Sequence, residues 1–358
     1  MTLRDKPRIG AVASVEFGRT VRVLRLRRLT ARFGVRSVVV SAVLLVAACV
    51  VSLLALGTGD FDIPPDRVLR ALLGSGVGSD ELVVLQWRFP RVLMALVLGA
   101  ALGISGAILQ SVTRNPLGSP DIVGFNNGAY TGALLVILAG GGYYATAAGA
   151  IGGGLVTALA IFLLAFRQSI KGFRLVIVGI GIGSMLAAAN TWLILRADLD
   201  TAMSAAAWGV GTLDGLTWAE ITPALVVLAV LAIAVVPAAH QLPILELGDD
   251  AAQALGVRVG RARLLLTILS VAFTAVGTAV AGPIAFVALA APQLGRRLAR
   301  TPTTALLPAA AMGALLLAVC DWISRRVFAP TSVPVGVVTA SVGGAYLAYL
   351  LVVEARRN

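Results

Sequence analysis

The sequence predicts an all-α, polytopic membrane protein, and three observations carry that prediction. Ten apolar stretches can be drawn, at roughly 38–56, 92–113, 121–139, 145–166, 174–195, 221–240, 263–282, 284–299, 304–322 and 335–353. Asp and Glu fall outside the cores of these stretches, and Arg and Lys accumulate in every second connection. A bilayer core about 30 Å thick takes ~20 apolar residues as helix, and most of the stretches are near that length. With 58% hydrophobic residues, a water-soluble fold could not hide so much apolar surface.

Charge sets the topology. Of the 29 Lys and Arg residues, 22 lie on one side. They occupy residues 1–36, the tail (Arg356, Arg357) and connections carrying Arg114, then Arg167, Lys171 and Arg174, then Arg258, Arg261 and Arg263, then Arg296, Arg297 and Arg300. The opposite side has 7: Arg67, Arg70, Arg88, Arg91, Arg196, Arg325 and Arg326. Basic residues stay on the cytoplasmic side of a membrane, so both termini are expected in the cytoplasm and the chain in the cytoplasmic (inner) membrane. The outer side takes most of the acids, Asp60, Asp62, Asp66, Asp80, Glu81, Asp198, Asp200, Asp214 and Glu220. Trp87, Trp192, Trp208, Trp218 and Trp322 fall at or beyond outer helix ends, where amphipathic rings prefer to sit.

The net charge of +12 therefore reads as a topogenic signal, with a nucleic-acid arm at residues 1–36 as the alternative. That segment does not read as a cleavable signal peptide, because its basic region is too long and no A-x-A site follows the first apolar run. The organisation expected is a basic cytoplasmic segment, 1–36, and a single transmembrane domain, 37–358. Cys49 and Cys320 lie within spans at opposite ends of the chain and imply no disulfide or metal framework. The 57–90 loop has turn chemistry and room for one short helix at Asp66–Leu73; the 196–220 loop reads as a compact element with aromatic anchors. The 284–299 span is the weakest, being short and divided from its neighbour only by Gly282-Pro283. Spans two to five and seven to ten begin on opposite faces, as an inverted internal repeat would require. Gly99-x-x-x-Gly103, Gly149-x-x-x-Gly153 and Gly179-x-x-x-Gly183 let backbones approach closely, and are read as bundle packing rather than as a dimer face.

The chemistry present excludes several classes. Proton-coupled carriers place carboxylates or histidines at membrane depth, whereas here each acid reads as lying at a span end or in a loop. His240, the sole histidine, is at the cytoplasmic end of the sixth span. An ATPase needs a Gly-rich loop running into Lys-Ser/Thr, but Lys6 and Lys171 are followed by Pro and Gly. No Ser-His-Asp grouping, metal cluster or dinucleotide fingerprint is present. Uphill transport by this chain would take its energy from another subunit.

One connection reads as a coupling surface. Residues 246–257 (Glu246-Leu247-Gly248-Asp249-Asp250-Ala251-Ala252-Gln253-Ala254-Leu255-Gly256-Val257) form a short amphipathic helix on the cytoplasmic side, bracketed by Gly248 and Gly256. Leu247, Ala251, Ala254 and Leu255 share one face at helical spacing. An interfacial helix lying on lipid is one reading. Lipid-surface helices are usually basic and this one is acidic, which suits docking into a partner's cleft.

At this point longer motifs resemble a known family. Arg88-Phe-Pro-Arg91 is followed by Gly99-Ala-Ala-Leu-Gly-Ile-Ser-Gly-Ala-Ile-Leu-Gln110, Asn115-Pro-Leu-Gly-Ser-Pro-Asp-Ile-Val-Gly124 and Asn127-Gly-Ala129. Trp208-Gly-Val-Gly, Leu247-Gly-Asp-Asp-Ala-Ala-Gln-Ala-Leu-Gly256, Gly282-Pro-Ile-Ala-Phe286 with Pro292 and Arg296, and Pro334-Val-Gly-Val-Val-Thr-Ala340 come later. In this order, from about 38 to 353, they resemble the FecCD-type permeases of ABC importers for iron–siderophore complexes and vitamin B12. The resemblance implies a ten-helix, type II importer bundle paired with an identical or homologous permease. It also implies two cytoplasmic ABC ATPases that bind ATP and Mg, and an external substrate-binding protein; this chain would hold no cofactor and would not be an enzyme. By the same resemblance, Glu246–Gly256 is the coupling helix, Arg88, Arg91 and Arg325 receive acidic residues of the binding protein, and Gln168–Leu175, with Gly172 and Phe173, lies near the cytoplasmic gate. Arg325 also stands at i, i+4 from Asp321 and could simply pair with it. The chain departs from the pattern at Gln293, where His is usual, and at Ala288, Thr331-Ser332 and Ala345.

The function this implies is translocation of a ferric siderophore by alternating access, with vitamin B12 or haem as the alternative cargo. A secondary carrier without an ATPase, and a structural or sensory membrane protein, are the rivals from other classes.

Overall fold

The computed structural model describes residues 21–26, 29–59, 61–76, 78–121, 123–165, 172–327 and 333–355. Most of the basic start, residues 166–171 beside the expected gate, Thr331-Ser332 and the tail arginines lie outside the described residues. A two-stranded antiparallel hairpin, β1 (Val21–Leu26) and β2 (Leu29–Gly34), adds a small non-helical element to the all-α architecture expected. The helices are α1 (Val35–Gly57), α2 (Pro65–Leu72), α3 (Asp80–Leu82), α4 (Phe89–Thr113), α5 (Phe125–Leu138), α6 (Tyr143–Ala165), α7 (Gly172–Arg196) and α8 (Leu199–Val210). They continue as α9 (Trp218–Ala239), α10 (Leu242–Glu246), α11 (Asp249–Ala254), α12 (Val259–Ala281), α13 (Val287–Ala299), α14 (Leu306–Arg326) and α15 (Val335–Ala355).

A π-helical turn, Val83–Arg88, joins α3 to α4, so that one helix runs from Asp80 to Thr113. Pro90 supplies a reason. It has no N–H to donate and its ring crowds the carbonyl one turn back, and a widened turn just ahead of it relieves both. The short helix expected at 66–73 is α2, with Pro65 at its first position. The 196–220 segment, expected as a loop, holds α8. Asp198 caps it by accepting from the Thr201 N–H, which holds the Asp198 carboxyl below the usual carboxylate range.

Each of the ten apolar stretches coincides with a helix, but the lengths do not give ten crossings. Among the described residues seven helices are long and apolar enough to cross a bilayer: 35–57, 80–113, 143–165, 174–196, 218–239, 259–281 and 306–326. α15 counts with the shorter apolar helices. α5 and α13, with 14 and 13 residues, reach only about 20 Å at ~1.5 Å per residue. Both begin late because the backbone ahead of them leaves helical space. Gly124 sits at φ +85° before α5; Gly282 at +70° and Phe286 at +67° flank Pro283 before α13. These two interruptions fall at matching positions of the two sets of four spans.

α4, α12 and α14 form the centre, the most apolar windows of their spans being 72%, 61% and 56% buried, against 17% to 28% for α1, α6, α7 and α9. Met94, Leu98, Leu266, Phe273 and Leu317 pack the core between the central helices. The outer helices leave apolar side chains exposed, among them Val43, Val46 and Val50 on α1, Leu159 and Leu163 on α6, and Val230 and Ile233 on α9. Hydrocarbon is as apolar as these side chains, so close packing and polar links must hold the bundle together. Ser105 supplies such a link, meeting Ser270 Oγ at 2.9 Å and Thr274 Oγ1 at 2.8 Å between α4 and α12.

Glycines supply the close packing. A Cβ at Gly99 would overlap the Gly313 carbonyl oxygen and the reverse holds for Gly313; Gly103 stands likewise against Ala309, and Gly106 against Ala288. Gly149 and Gly153 of α6 meet Gly132 and Gly128 of α5, and Gly179 of α7 faces Val123 and Gly124. The three Gly-x-x-x-Gly pairs thus serve contacts within the chain. Gly99→Leu is expected to cost about 1–3 kcal/mol through overpacking, lowering the thermal unfolding temperature in detergent. Gly152→Ala, whose Cβ would meet nothing within 4 Å, should leave it unchanged or raised.

Candidate functional site

The segment 246–257, expected as a coupling helix, is built from two pieces rather than one helix. Glu246 and Leu247 end α10, Gly248 turns the chain at φ +110°, and α11 covers Asp249–Ala254 before Gly256 turns it again at φ +83°. A non-helical backbone at Gly248 is what divides the helix expected over 246–257. Asp249 Oδ1 accepts from Arg114 Nη2 at 2.5 Å and Arg263 Nη2 at 2.6 Å, and Oδ2 accepts from Arg263 Nη1 at 2.9 Å. The Arg263 side chain is only 3% exposed, so a fork of this kind matches a carboxylate in partly dry surroundings. Glu246 takes the Thr304 N–H at 3.1 Å and the Thr304 hydroxyl. Ala252 is buried. Outward, Leu247, Asp250, Ala251, Gln253, Ala254 and Leu255 remain exposed. The element is fastened from behind and offers a mixed apolar and acidic face in front.

On the opposite face, the outer arginines are drawn inward. Arg91 Nε donates to Asp321 Oδ1 at 2.9 Å and Nη1 bonds Asp214. Arg325 Nη2 lies 3.1 Å from Asp321 Oδ2, and its Nη1 donates to the Ala55 carbonyl at 3.2 Å. Asp321 is 2% exposed, Arg91 11% and Arg325 12%. Arg88 donates to the carbonyls of Leu56 at 2.8 Å and Phe61 at 2.6 Å. The i, i+4 pairing of Arg325 with Asp321 is therefore present, and Arg91 shares the same carboxylate. Trp218 Nε1 donates to Leu85 O at 3.0 Å nearby, and Trp208 stacks on Tyr130.

Between these faces lies a cleft of about 700 Å³. Asp121, Asn126, Asn127 and Tyr130 line one wall, and Pro283, Gly336 and Ser341 contribute to the other. Its rim is a knot of backbone: Thr212 N donates to Ala281 O at 2.7 Å and Gly336 N to Gly211 O at 3.0 Å. Tyr130 Oη donates to the Ala205 carbonyl at 2.9 Å, and Asn127 Nδ2 to the Gly183 carbonyl at 2.9 Å, tying α5 to α8 and α7. Gly172 and Phe173, expected near a gate, open α7.

A ring of lipid-compatible helices, a cleft with a few polar side chains in its wall and a fastened element exposed at one face define a polytopic membrane permease. The chain matches the FecCD transport family over residues 40–353 and belongs to it. It is 48% identical over 325 residues to the ferric enterobactin transport system permease protein FepG of Escherichia coli (strain K12), covering 90% of this chain and 98% of the relative. It is 36% identical to the probable siderophore transport system permease protein YfhA of Bacillus subtilis (strain 168), covering 89% and 97%. A solved structure described as an inward-facing conformation of a metal-chelate type ABC transporter aligns with TM-score 0.78 at 26% identity, over 87% of this chain and 98% of that one.

Three groups escaped sequence reasoning. Arg114 stands 135 residues from Asp249 and Arg263 stands 14 away, and nothing in the sequence pairs them. Asp214 reaches Arg91 only through the fold. Asp121 had a signal: Pro120-Asp121 immediately before an apolar run is a helix-start pattern, here displaced by the turn at Gly124. Asp321→Asn is expected to destabilise the protein by about 3 kcal/mol, because two nearly buried guanidinium groups lose their shared carboxylate. Asp214→Asn, at a carboxylate 40% exposed, should cost ~1 kcal/mol or less; thermal unfolding of both variants in detergent checks the ranking.

Proposed function

We propose that the chain is the membrane-spanning subunit of an importer for a ferric siderophore, driven by ATP and Mg on separate ABC ATPase subunits and paired with a second permease. The observation that carries this reading is the outward face of α10 and α11. A helix held from behind by Asp249 and Glu246 transmits force rather than absorbing it, and Leu247, Asp250, Ala251 and Leu255 are free to enter a partner's groove. The cargo follows from the relatives, FepG for ferric enterobactin and YfhA for siderophores. All ten helices lie across the cytoplasmic membrane in this reading, α5 and α13 completing their crossings through the non-helical segments before them. Both termini then lie in the cytoplasm, and Gly172 and Phe173 sit near the inner gate.

Outside, an acidic binding protein docks over Arg88, Arg91 and Arg325. Docking there proceeds by exchange, the partner's carboxylates taking over from Asp214 and Asp321. Charge complementarity between these arginines and an acidic partner makes association sensitive to salt.

Proteoliposomes holding the permease, its ATPase and its binding protein should accumulate labelled ferric enterobactin or another ferric siderophore only with ATP. Uptake that follows a proton gradient without the ATPase would overturn the reading, and uptake of vitamin B12 or haem in place of the iron chelate would overturn the cargo. Asp250→Lys is expected to reduce ATPase co-purification at least several-fold with no change in unfolding temperature, whereas Asp249→Lys should lower both by setting a third cation beside Arg114 and Arg263.

A further inference from the structure

The carboxyl group of Asp121 joins the two interrupted crossings. Its Oδ2 accepts the Phe286 N–H at 2.9 Å, while Oδ1 is buried with no hydrogen-bond partner among the described residues. α13 runs back from Phe286 towards the Arg114 side of the bundle, where Gln293 Nε2 donates to the Pro116 carbonyl at 2.7 Å. α5 starts just beyond Asp121 and runs the other way, towards the face where Tyr144 meets Ala219. The contact therefore joins the starts of two oppositely directed half-crossings.

Phe286 cannot hold its position alone. At φ +67° a non-glycine residue costs roughly 1–2 kcal/mol, and it caps a helix whose first N–H groups have no helical partner. Asp121 satisfies one of those groups with an acidic oxygen at the helix N-terminus, where the helix dipole favours negative charge. On its other side Phe286 lies against Gly343 of α15, where a Cβ would overlap its side chain. A displacement of Phe286 thus presses on α15, which forms one wall of the cleft.

The same segment, 114–124, is tied at its opposite end to the coupling element through the Arg114–Asp249 pair. Gln110 Nε2 donates to Leu289 O at 3.0 Å, so α4 and α13 are bound together along the way. A path runs from α11 by the Arg114–Asp249 ion pair, along the chain from 114 to 121, by the Asp121–Phe286 hydrogen bond, and by the packing of Phe286 on Gly343 to the cleft.

We infer that Asp121 is the positioning residue that carries displacement of the coupling element to the cleft, by holding the start of α13 to the segment 114–124. This rests on the ATPase-driven reading above. It requires the acceptor oxygen rather than the charge, so Asp121→Asn should preserve the function that Asp121→Ala loses.

Two measurements test it. In the purified permease, hydrogen exchange at residues 286–289 should accelerate at least tenfold in Asp121→Ala and stay within twofold of the parent in Asp121→Asn. In the complex with its ATPase, a Ser341→Cys reporter, with Cys49 and Cys320 replaced by Ala, should change its rate of labelling by an impermeant maleimide when ATP is added. Asp121→Ala should abolish that change while ATPase association and basal hydrolysis stay within twofold. Unaltered exchange, a retained ATP response in Asp121→Ala, equal losses in both variants, or loss of ATPase association each overturns the proposal. If the parent complex itself shows neither ATPase association nor an ATP response, the ATPase-driven reading falls and takes the relay with it, while the exchange result still reports whether Asp121 holds α13.

Discussion

Hydrocarbon offers a backbone no hydrogen bonds, so each peptide group at membrane depth must find its partner within the protein. Continuous helices such as α6 and α12 meet that demand internally. The segments 114–124 and 282–286 do not, and the fold is arranged around their needs. The Asp121 carboxylate takes the Phe286 N–H, Gln293 donates to the Pro116 carbonyl, and the Thr278 carbonyl takes the Gly282 N–H. Beside the irregular backbone lies a cleft that brings Asp121, Asn126, Asn127 and Tyr130 into an otherwise apolar bundle.

Much of this was legible in the sequence, for identifiable reasons. Helix positions followed from runs of apolar residues bounded by Gly, Pro and charge, and all ten runs became helices. What periodicity could not give was where helix starts inside a run. The stretch 121–139 reads as one span despite Asp121, Asn126 and Asn127, yet Gly124 and the turn before it shorten the helix to 125–138. Likewise α8 hides in a segment rich in Ala and Asp, too polar for a span and too short to announce itself apart from its Asp198 cap. The Gly-x-x-x-Gly pairs were read as packing within the bundle, and Gly99 against Gly313 bears that out.

At the site, chemistry-bearing residues were visible individually, while of their pairings only the i, i+4 contact of Arg325 with Asp321 was. Asp249 and Asp250 are equivalent in sequence; the fold turns one inward to Arg263 and leaves the other exposed. Arg91 and Arg325 were recognisable as outer cations, but their common attachment to Asp321 joins residues more than two hundred positions apart. Only tertiary structure divides a cluster of like charges into fasteners and free groups.

The contact of Gly99 with Gly313 has a mechanical corollary. With no side chains between them, the backbones of α4 and α14 interlock and cannot roll or slide past each other without collision. They must tilt as a single girder, carrying Arg91 at one helix end together with Asp321 and Arg325 of the other. Any force on the exterior arginines is thereby delivered along the full length of that girder to Arg114 at its far tip.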